Sequence, residues 1–273
     1  KIKITYPHCL IIFGGPQVPD NDDTFHQRYP WVDLLVHGEG EYQFLEVLLA
    51  NLTSKPAFQK IPGISYLDEH ANCTHQTSPP SRVSDLSDIP SPYTDGVVDD
   101  YIKDPHYRYA MVTETNRGCP FRCTFCNWGS LTYQKVKLVP LGKIREEFEW
   151  AAENNIDEIH LADANFGIFK ERDREIAKMF IEVKEEFGYP WTISTAWTKN
   201  SNETVLSIAD LLHKAEALRM FQISIQTFNE ETLVAVRRSN MDSNKYGEVL
   251  KEVQRINIPH GTELIIGLAL ETY

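Results

Sequence analysis

With 273 residues, 42% of them hydrophobic, the chain is long enough for one or two domains with apolar cores. Its 39 acidic and 27 basic residues leave a net charge of -12, which argues against a broad non-specific nucleic-acid surface, so nucleic acid is not an expected partner. No apolar run is long enough to span a bilayer and no signal peptide opens the chain, so the expected setting is a reducing cytoplasm without membrane association.

The first apolar run, Cys9-Leu10-Ile11-Ile12-Phe13, reads as a buried strand entering the turn Gly14-Gly15-Pro16. Val32 to Val36 follows, then a second glycine turn, His37-Gly38-Glu39-Gly40-Glu41, and an amphipathic helix from Tyr42 to Leu52. Glycine pairs serve either tight chain reversal or close backbone approach to a flat ligand. Residues 1–55 form a first domain on this pattern and 56–108 a linker. Its stretch from Asp68 to His106 is rich in Ser, Pro, Asp and His and broken by Pro79-Pro80 and Ser91-Pro92. There His70, His75 and His106 read as solvated side chains, and Cys9 and Cys73 as ordinary small residues.

From Tyr109 onward, short apolar runs alternate with amphipathic segments at roughly 30 to 45 residues, the pattern of repeated strand-helix units and hence of parallel strands. Expected strands are Tyr109 to Glu114, Asp157 to Ala162, Trp191 to Ala196, Phe221 to Gln226 and Glu263 to Gly267. Between them Ile144, Phe148 and Ala151, then Ile176, Phe180 and Val183, then Tyr246, Leu250, Val253 and Ile256 recur at helical spacing and face a core. Right-handed crossovers curl such α/β units into an open or partial (β/α) barrel, whose working face lies at the C-terminal ends of the strands. The loop after the first of these strands reads Asn116-Arg117-Gly118-Cys119-Pro120-Phe121-Arg122-Cys123-Thr124-Phe125-Cys126. Three thiolates so close together can converge on one soft metal centre and leave one position of a four-coordinate site unfilled. The alternative is structural zinc, closed by a fourth ligand such as His106 or His160. A disulfide fits three cysteines in one loop badly.

The spacing, the Gly-Cys-Pro opening and Phe125 before the last cysteine resemble the cluster loop of the radical S-adenosylmethionine (SAM) superfamily. The resemblance implies that Cys119, Cys123 and Cys126 hold three irons of a 4Fe-4S cluster, that SAM chelates the fourth, and that Phe125 packs near the adenine. It implies a partial radical SAM barrel over 109–273, with five of the usual six strands present. Asp163-Ala164-Asn165-Phe166 resembles the Asp-x-Asn-Phe of cobalamin-dependent members, so Asp163 and Asn165 are expected to accept hydrogen bonds from the SAM ammonium, with helix capping the alternative for either. Ile223 to Leu233, followed by Arg237 and Arg238, resembles a segment of oxygen-independent coproporphyrinogen oxidase-like members. By that likeness Gln226 contacts SAM and Arg238 holds its carboxylate through a guanidinium fork, Arg237 being the solvated neighbour. Glu263 to Thr272 is similar to the adenine-side motif ending Gly-Leu-Pro-Gly-Glu-Thr. Here Ala269-Leu270 replaces Pro-Gly, Glu263 stands where a glycine is often seen, and Gly267 is carried over as the SAM contact.

The order apolar strand, Gly-Gly-Pro, Val32 to Val36 and Gly-Glu-Gly-Glu resembles the end of the cobalamin-binding Rossmann-like domain that precedes the barrel in one large subgroup. Residues 1–55 are accordingly expected to be the C-terminal part of such a domain, with Gly14, Gly15, Gly38, Glu39 and Gly40 toward cobalamin. That domain's Asp-x-His-x-x-Gly motif does not occur here, and with Lys1 first and a strand close to Tyr273 the chain reads as a fragment. The resemblance implies an enzyme that cleaves SAM reductively to a 5'-deoxyadenosyl radical and, with cobalamin, transfers a methyl group to, or otherwise modifies, an unknown substrate. A one-electron donor such as flavodoxin or ferredoxin would be its partner. Alternatives are a cobalamin-independent member and a non-catalytic zinc or iron-sulfur module. Cys9 and Cys73 cannot build the second three-cysteine site of a methylthiotransferase, and Trp128 stands where coproporphyrinogen oxidase-like proteins often carry another cysteine. No fourth cysteine is placed to close an electron carrier's cluster. No catalytic side chain is assigned.

Overall fold

The computed structural model describes residues 1–68, 72–126, 135–199 and 203–271, so His70 and Trp128 lie outside the described residues. The described residues fall into two compact units, one of residues 1–84 and one of residues 85–126 and 135–271.

In the first unit, the single turns α1 (Ile2–Thr5) and α2 (Phe25–Arg28) and the helix α3 (Glu41–Asn51) accompany a sheet ordered β1 (Ile12–Phe13), β2 (Leu34–Val36), β3 (Ile64–Asp68), β4 (Cys73–Gln76). β1 and β2 run parallel and the rest antiparallel. Leu34 and Val36 pack with Val47 of α3 and with Ile61 and Ile64. The buried strand expected from Cys9 shrinks to two residues, because β1 is a sheet edge paired with β2 alone, which leaves Phe13 39% exposed. The expected linker at 56–108 also begins later. β3 and β4 are a hairpin of this sheet, in which Thr74 accepts from the His26 N–H of α2 at 3.1 Å while Gln76 is exposed at the strand end. Pro80 then lies against Gly63, where an added Cβ would stand 2.6 Å from a Pro80 ring carbon.

The second unit opens with residues that composition also assigns to a linker, yet they are anchored. The Tyr93 hydroxyl donates to the Val112 carbonyl at 2.6 Å and accepts from the Val112 N–H at 3.2 Å, while Lys143 donates to the carbonyls of Leu86 and Ile89. The strand β5 (Ala110–Thr113) leads into a short antiparallel pair, β6 (Asn116–Arg117) with β7 (Lys137–Leu138). The helices α4 (Leu141–Glu153), α5 (Lys170–Phe187) and α6 (Glu203–Lys214) alternate with β8 (Glu158–Phe166), β9 (Thr192–Trp197) and β10 (Phe221–Gln226). Then come α7 (Glu230–Ala235), α8 (Ser243–Arg255) and β11 (His260–Leu264). β5, β8 and β9 pair in parallel, as do β10 and β11, and a parallel bridge from Ile193 to Leu218 joins the two sets. The result is the expected α/β partial barrel with strands in chain order.

Its core is one layer of strand residues, among them Met111, Ile159, Leu161, Ile193 and Ile223, against helix residues at the expected 3.6-residue spacing. Phe148, Phe180, Ile208 and Val253 are completely or almost completely buried. Phe148 and Phe180 meet edge to face at 5.7 Å, and Trp197 touches both Phe166 and Phe221, tying β8, β9 and β10 together. Three expectations shift. Helix α6 had no counterpart in the sequence reading. β8 runs on to Phe166, so Asp163 and Asn165 belong to a strand and do not cap a helix. β11 starts at His260 and ends at Leu264, because its register against Phe221 exhausts β10 there and leaves Leu264 and Ile266 58% and 79% exposed.

Phe180→Ala removes the ring that α5 presses on α4, and a cost of about 3–5 kcal/mol is expected for so buried an aromatic. Urea denaturation checks this, and a loss below about 1 kcal/mol would contradict the packing described.

Candidate functional site

The cysteine loop leaves β5 and returns through β7, and its base is stapled. Asp163, 0% exposed, accepts from the Thr115 N–H at 2.7 Å, the Thr115 hydroxyl, the Asn116 N–H at 3.1 Å and the Asn116 side-chain amide at 2.9 Å. The Thr115 carbonyl in turn accepts from Val139 N–H at 2.9 Å and from Arg172 at 2.9 Å, and the same guanidinium group donates to the Val139 carbonyl at 2.7 Å. Asp173 accepts from Gly167 and Phe169 N–H groups and fixes the entry to α5. At Gly118 the two arms cross. Its φ is +121°, and a Cβ would stand 3.0 Å from the Lys135 carbonyl oxygen and 3.3 Å from the Val136 Cα, so only glycine passes here.

Beyond that crossing, Cys119 and Cys123 are buried and Cys126 is half-buried, all as free thiols. The Thr124 N–H donates to the Val236 carbonyl at 3.0 Å, seating the loop against the end of α7, and Cys126 N–H turns back to the Cys123 carbonyl at 3.2 Å. Among the described residues, no three His, Cys, Asp or Glu side chains are gathered as one metal ion would gather them. The zinc alternative is not favoured by the histidines either: His160 is hydrogen-bonded to Ser194 at 2.9 Å, and His106 lies exposed.

Side chains from the ends of β8 and β9 and from the segment after α7 surround the thiols. Asn165 of β8, 2% exposed, donates to Cys119 Sγ at 3.3 Å, while its Oδ1 is buried without a hydrogen-bond partner. Lys199, just past β9, donates to Cys123 Sγ at 2.8 Å. Arg238, 7% exposed, donates to Asn240 at 2.6 Å and to the Ser224 carbonyl, and burial pulls its pKa down while Cys123, Cys126 and Glu263 pull it back. Arg237 is exposed, as expected of the solvated neighbour. Gln226 ends β10 with φ +71° at a bulge, and Asn240 bridges the Ile225 and Thr227 carbonyls around it. Such a left-handed non-glycine residue re-aims its side chain off the sheet pattern.

Asp163 has both carboxylate oxygens engaged by the four donors of Thr115 and Asn116, two on each oxygen. Phe125 is half-buried beside Cys126. Gly267 is exposed in a turn with φ +89°, and Leu270, at the position of the family's glycine, takes the left-handed φ of +65° that a glycine would take. Glu263 lies across β10, accepting from Gln222 and from Ser224. Sequence reasoning missed Lys199, Arg172 and Asn240. Residue type carries no signal of burial at these positions, and only the fold brings Lys199 from the end of β9 and Arg172 from α5 to the loop and Asn240 from beyond α7 to the end of β10.

In the first unit, Gly14, Gly15, Gly38, Glu39 and Gly40 line one concavity together with Ile12, Val36 and Phe44. A Cβ at Gly15 would meet nothing within 4 Å, so that glycine leaves room as well as turning the chain at φ +90°. Gly38 has a different reason, since its Cβ would stand 3.0 Å from Pro80. Glu39 is also turned away, its carboxylate accepting from Val83 N–H at 2.6 Å and Arg82 at 3.0 Å.

A family model described as the Radical SAM superfamily matches residues 113–273. The chain is 37% identical over 274 residues to 2-(S-pantetheinyl)-carbapenam-3-carboxylate methyltransferase of Streptantibioticus cattleyicolor, covering 99% of this chain and 40% of the relative. It is 36% identical over 276 residues to the cobalamin-dependent radical SAM methyltransferase TokK of Streptomyces tokunonensis, with the same coverage. The chain thus spans about two fifths of the length of these curated relatives. Among solved structures, TsrM from Kitasatospora setae with tryptophan and a SAM analogue matches 96% of this chain and 51% of its own at 16% identity and a TM-score of 0.69. OxsB with aqua-cobalamin matches 97% of this chain and 38% of its own at 19% identity and 0.66. At these identities the structures share the fold.

Burial raises the pKa of Asp163 from 3.8 to about 6 in spite of its four donors. The folded state therefore holds a proton that the unfolded chain has released between these values, so this group's contribution to stability is full below about pH 4 and is lost as pH rises through 6. The stability of Asp163→Asn relative to wild type is expected to rise by about 3 kcal/mol from pH 4 to pH 7, read from denaturant midpoints, and parallel curves would refute it. Gly118→Ala is expected to cut iron uptake by the cysteine loop severely while leaving the far-ultraviolet circular dichroism of the barrel in place.

Proposed function

The chain belongs to the radical SAM superfamily, and on that premise we propose that Cys119, Cys123 and Cys126 hold a 4Fe-4S cluster beside a SAM site. The whole protein would be a cobalamin-dependent methyltransferase acting on a substrate of its own. The observation that carries the reading is one loop bearing three free cysteines, met by the unpartnered Asn165 Oδ1 and by the cations of Lys199 and Arg238. That donor set suits a soft cluster with an open iron position. When bound, the cluster and SAM supply a one-electron cleavage that yields the 5'-deoxyadenosyl radical.

The chain's own residues would bind and orient. Arg238, already fixed by Asn240 and the Ser224 carbonyl, offers a guanidinium fork to the SAM carboxylate. Asn165 Oδ1, buried and without a partner, can accept from the SAM ammonium. Gln226, Phe125 and Gly267 are proposed to border the rest of the nucleoside. The concavity lined by Gly14, Gly15 and Gly40, with open space at Gly15, is proposed to receive cobalamin, as the names of TokK and its kind suggest, with Gly38 and Glu39 shaping it through Pro80 and Arg82. No helix among the described residues is long and apolar enough to cross a membrane. A reducing cytoplasm and a flavodoxin or ferredoxin as one-electron donor complete the proposal.

Anaerobic reconstitution with iron and sulfide, followed by electron paramagnetic resonance with and without SAM, tests it. A 4Fe-4S signal that shifts with SAM is expected, and a zinc-loaded protein without a cluster would overturn it. Arg238→Ala is expected to weaken SAM binding at least about tenfold, as for loss of a charge-assisted hydrogen bond, with iron content little changed. Equal SAM affinity would remove Arg238 from the site.

A further inference from the structure

We propose that Lys199 is a positioning residue for the iron-sulfur centre, acting through Cys123 to raise its reduction potential. The inference rests on the reading of the cysteine loop as a cluster site. Lys199 arrives there by strand geometry: the Thr198 N–H donates to the Phe166 carbonyl at 2.9 Å, carrying the β8 and β9 pairing past Trp197. Its ammonium stands 2.8 Å from Cys123 Sγ and 4.5 Å from the centre of the Phe121 ring, so a hydrogen bond and a cation–π contact hold it from two sides.

The three thiols are unequally surrounded. Cys119 receives an amide N–H from Asn165, whereas Cys123 receives the Lys199 ammonium and lies within the field of Arg238. A free lysine side chain gives up much rotamer freedom to be fixed in this way, which a merely solvated residue would not do. Reduction by a low-potential one-electron donor adds one electron and one negative charge to a cluster, and no bond to Lys199 forms or breaks. A fixed positive charge and an N–H donor on a ligand sulfur stabilise the reduced state more than the oxidised one. Phe121, two residues before Cys123, steers the ammonium without competing for it as a carboxylate would.

The test compares wild type, Lys199→Met and Lys199→Arg after anaerobic reconstitution, measuring iron per chain and then the midpoint potential by electron paramagnetic resonance in the absence of SAM. Equal iron contents are expected, with the midpoint of Lys199→Met lower by about 59 mV or more, a tenfold change for a one-electron couple, and that of Lys199→Arg close to wild type. Equal midpoints in wild type and Lys199→Met would overturn the inference. So would a difference that appears only with SAM, which would make Lys199 a SAM contact, or loss of the cluster in both variants, which would make it a folding residue. A wild type that takes up no iron would overturn the cluster reading itself, a separate and distinguishable result.

Discussion

Asp163 is buried with the N–H and hydroxyl of Thr115 and the two N–H donors of Asn116 around its carboxylate, and the placement of every cysteine downstream depends on that arrangement. A carboxylate without solvent is expensive unless it is fully hydrogen-bonded, and even here the neutral form is favoured well above the ordinary range. The loop accepts that cost because an apolar residue at 163 could not stop the chain from swinging at the end of β5. Arg172 completes the restraint from α5, holding Thr115 and Val139 with one guanidinium and compensating the negative charge of Asp173 beside it. The thiols thus project from a loop whose two feet are fixed to three separate elements.

The opposite wall is built by a local irregularity. β10 slips by one residue against β11 between Ser224 and Gln226, and the segment after α7 reaches back to cover the carbonyls that the slip frees. Arg238 and Asn240 therefore serve the backbone and the site at once. Truncating either would loosen the strand as well as remove a charge or an amide.

The barrel was legible because its signals are local and periodic. The stripes at Ile144, Phe148 and Ala151 and at Ile176, Phe180 and Val183 are the buried faces of α4 and α5, and the strand centres fall where the apolar runs do. The cysteine loop was legible as a pattern of spacing. What the residues could not convey was direction. Asp163 and Asn165 are adjacent in type and two apart, yet one turns to Thr115 and the other to Cys119. Lys199 reads as one more surface lysine until the β8 and β9 ladder is drawn past Trp197. The polar run after Asp68 misleads for a related reason, since Cys73 to Gln76 pairs through its backbone, to which composition is blind.

Tyr93 gives the sheet a direction of growth. By taking both the N–H and the carbonyl of Val112 with a single phenolic oxygen, it plugs the outer margin of β5 as a neighbouring strand would, but with nothing left over for a further strand to recognise. The margin of β11 has no such plug among the described residues and carries exposed Leu264 at its end. At Val112, therefore, a strand of another molecule meets a side chain already seated in its place, and pairing along that margin would first have to displace the ring.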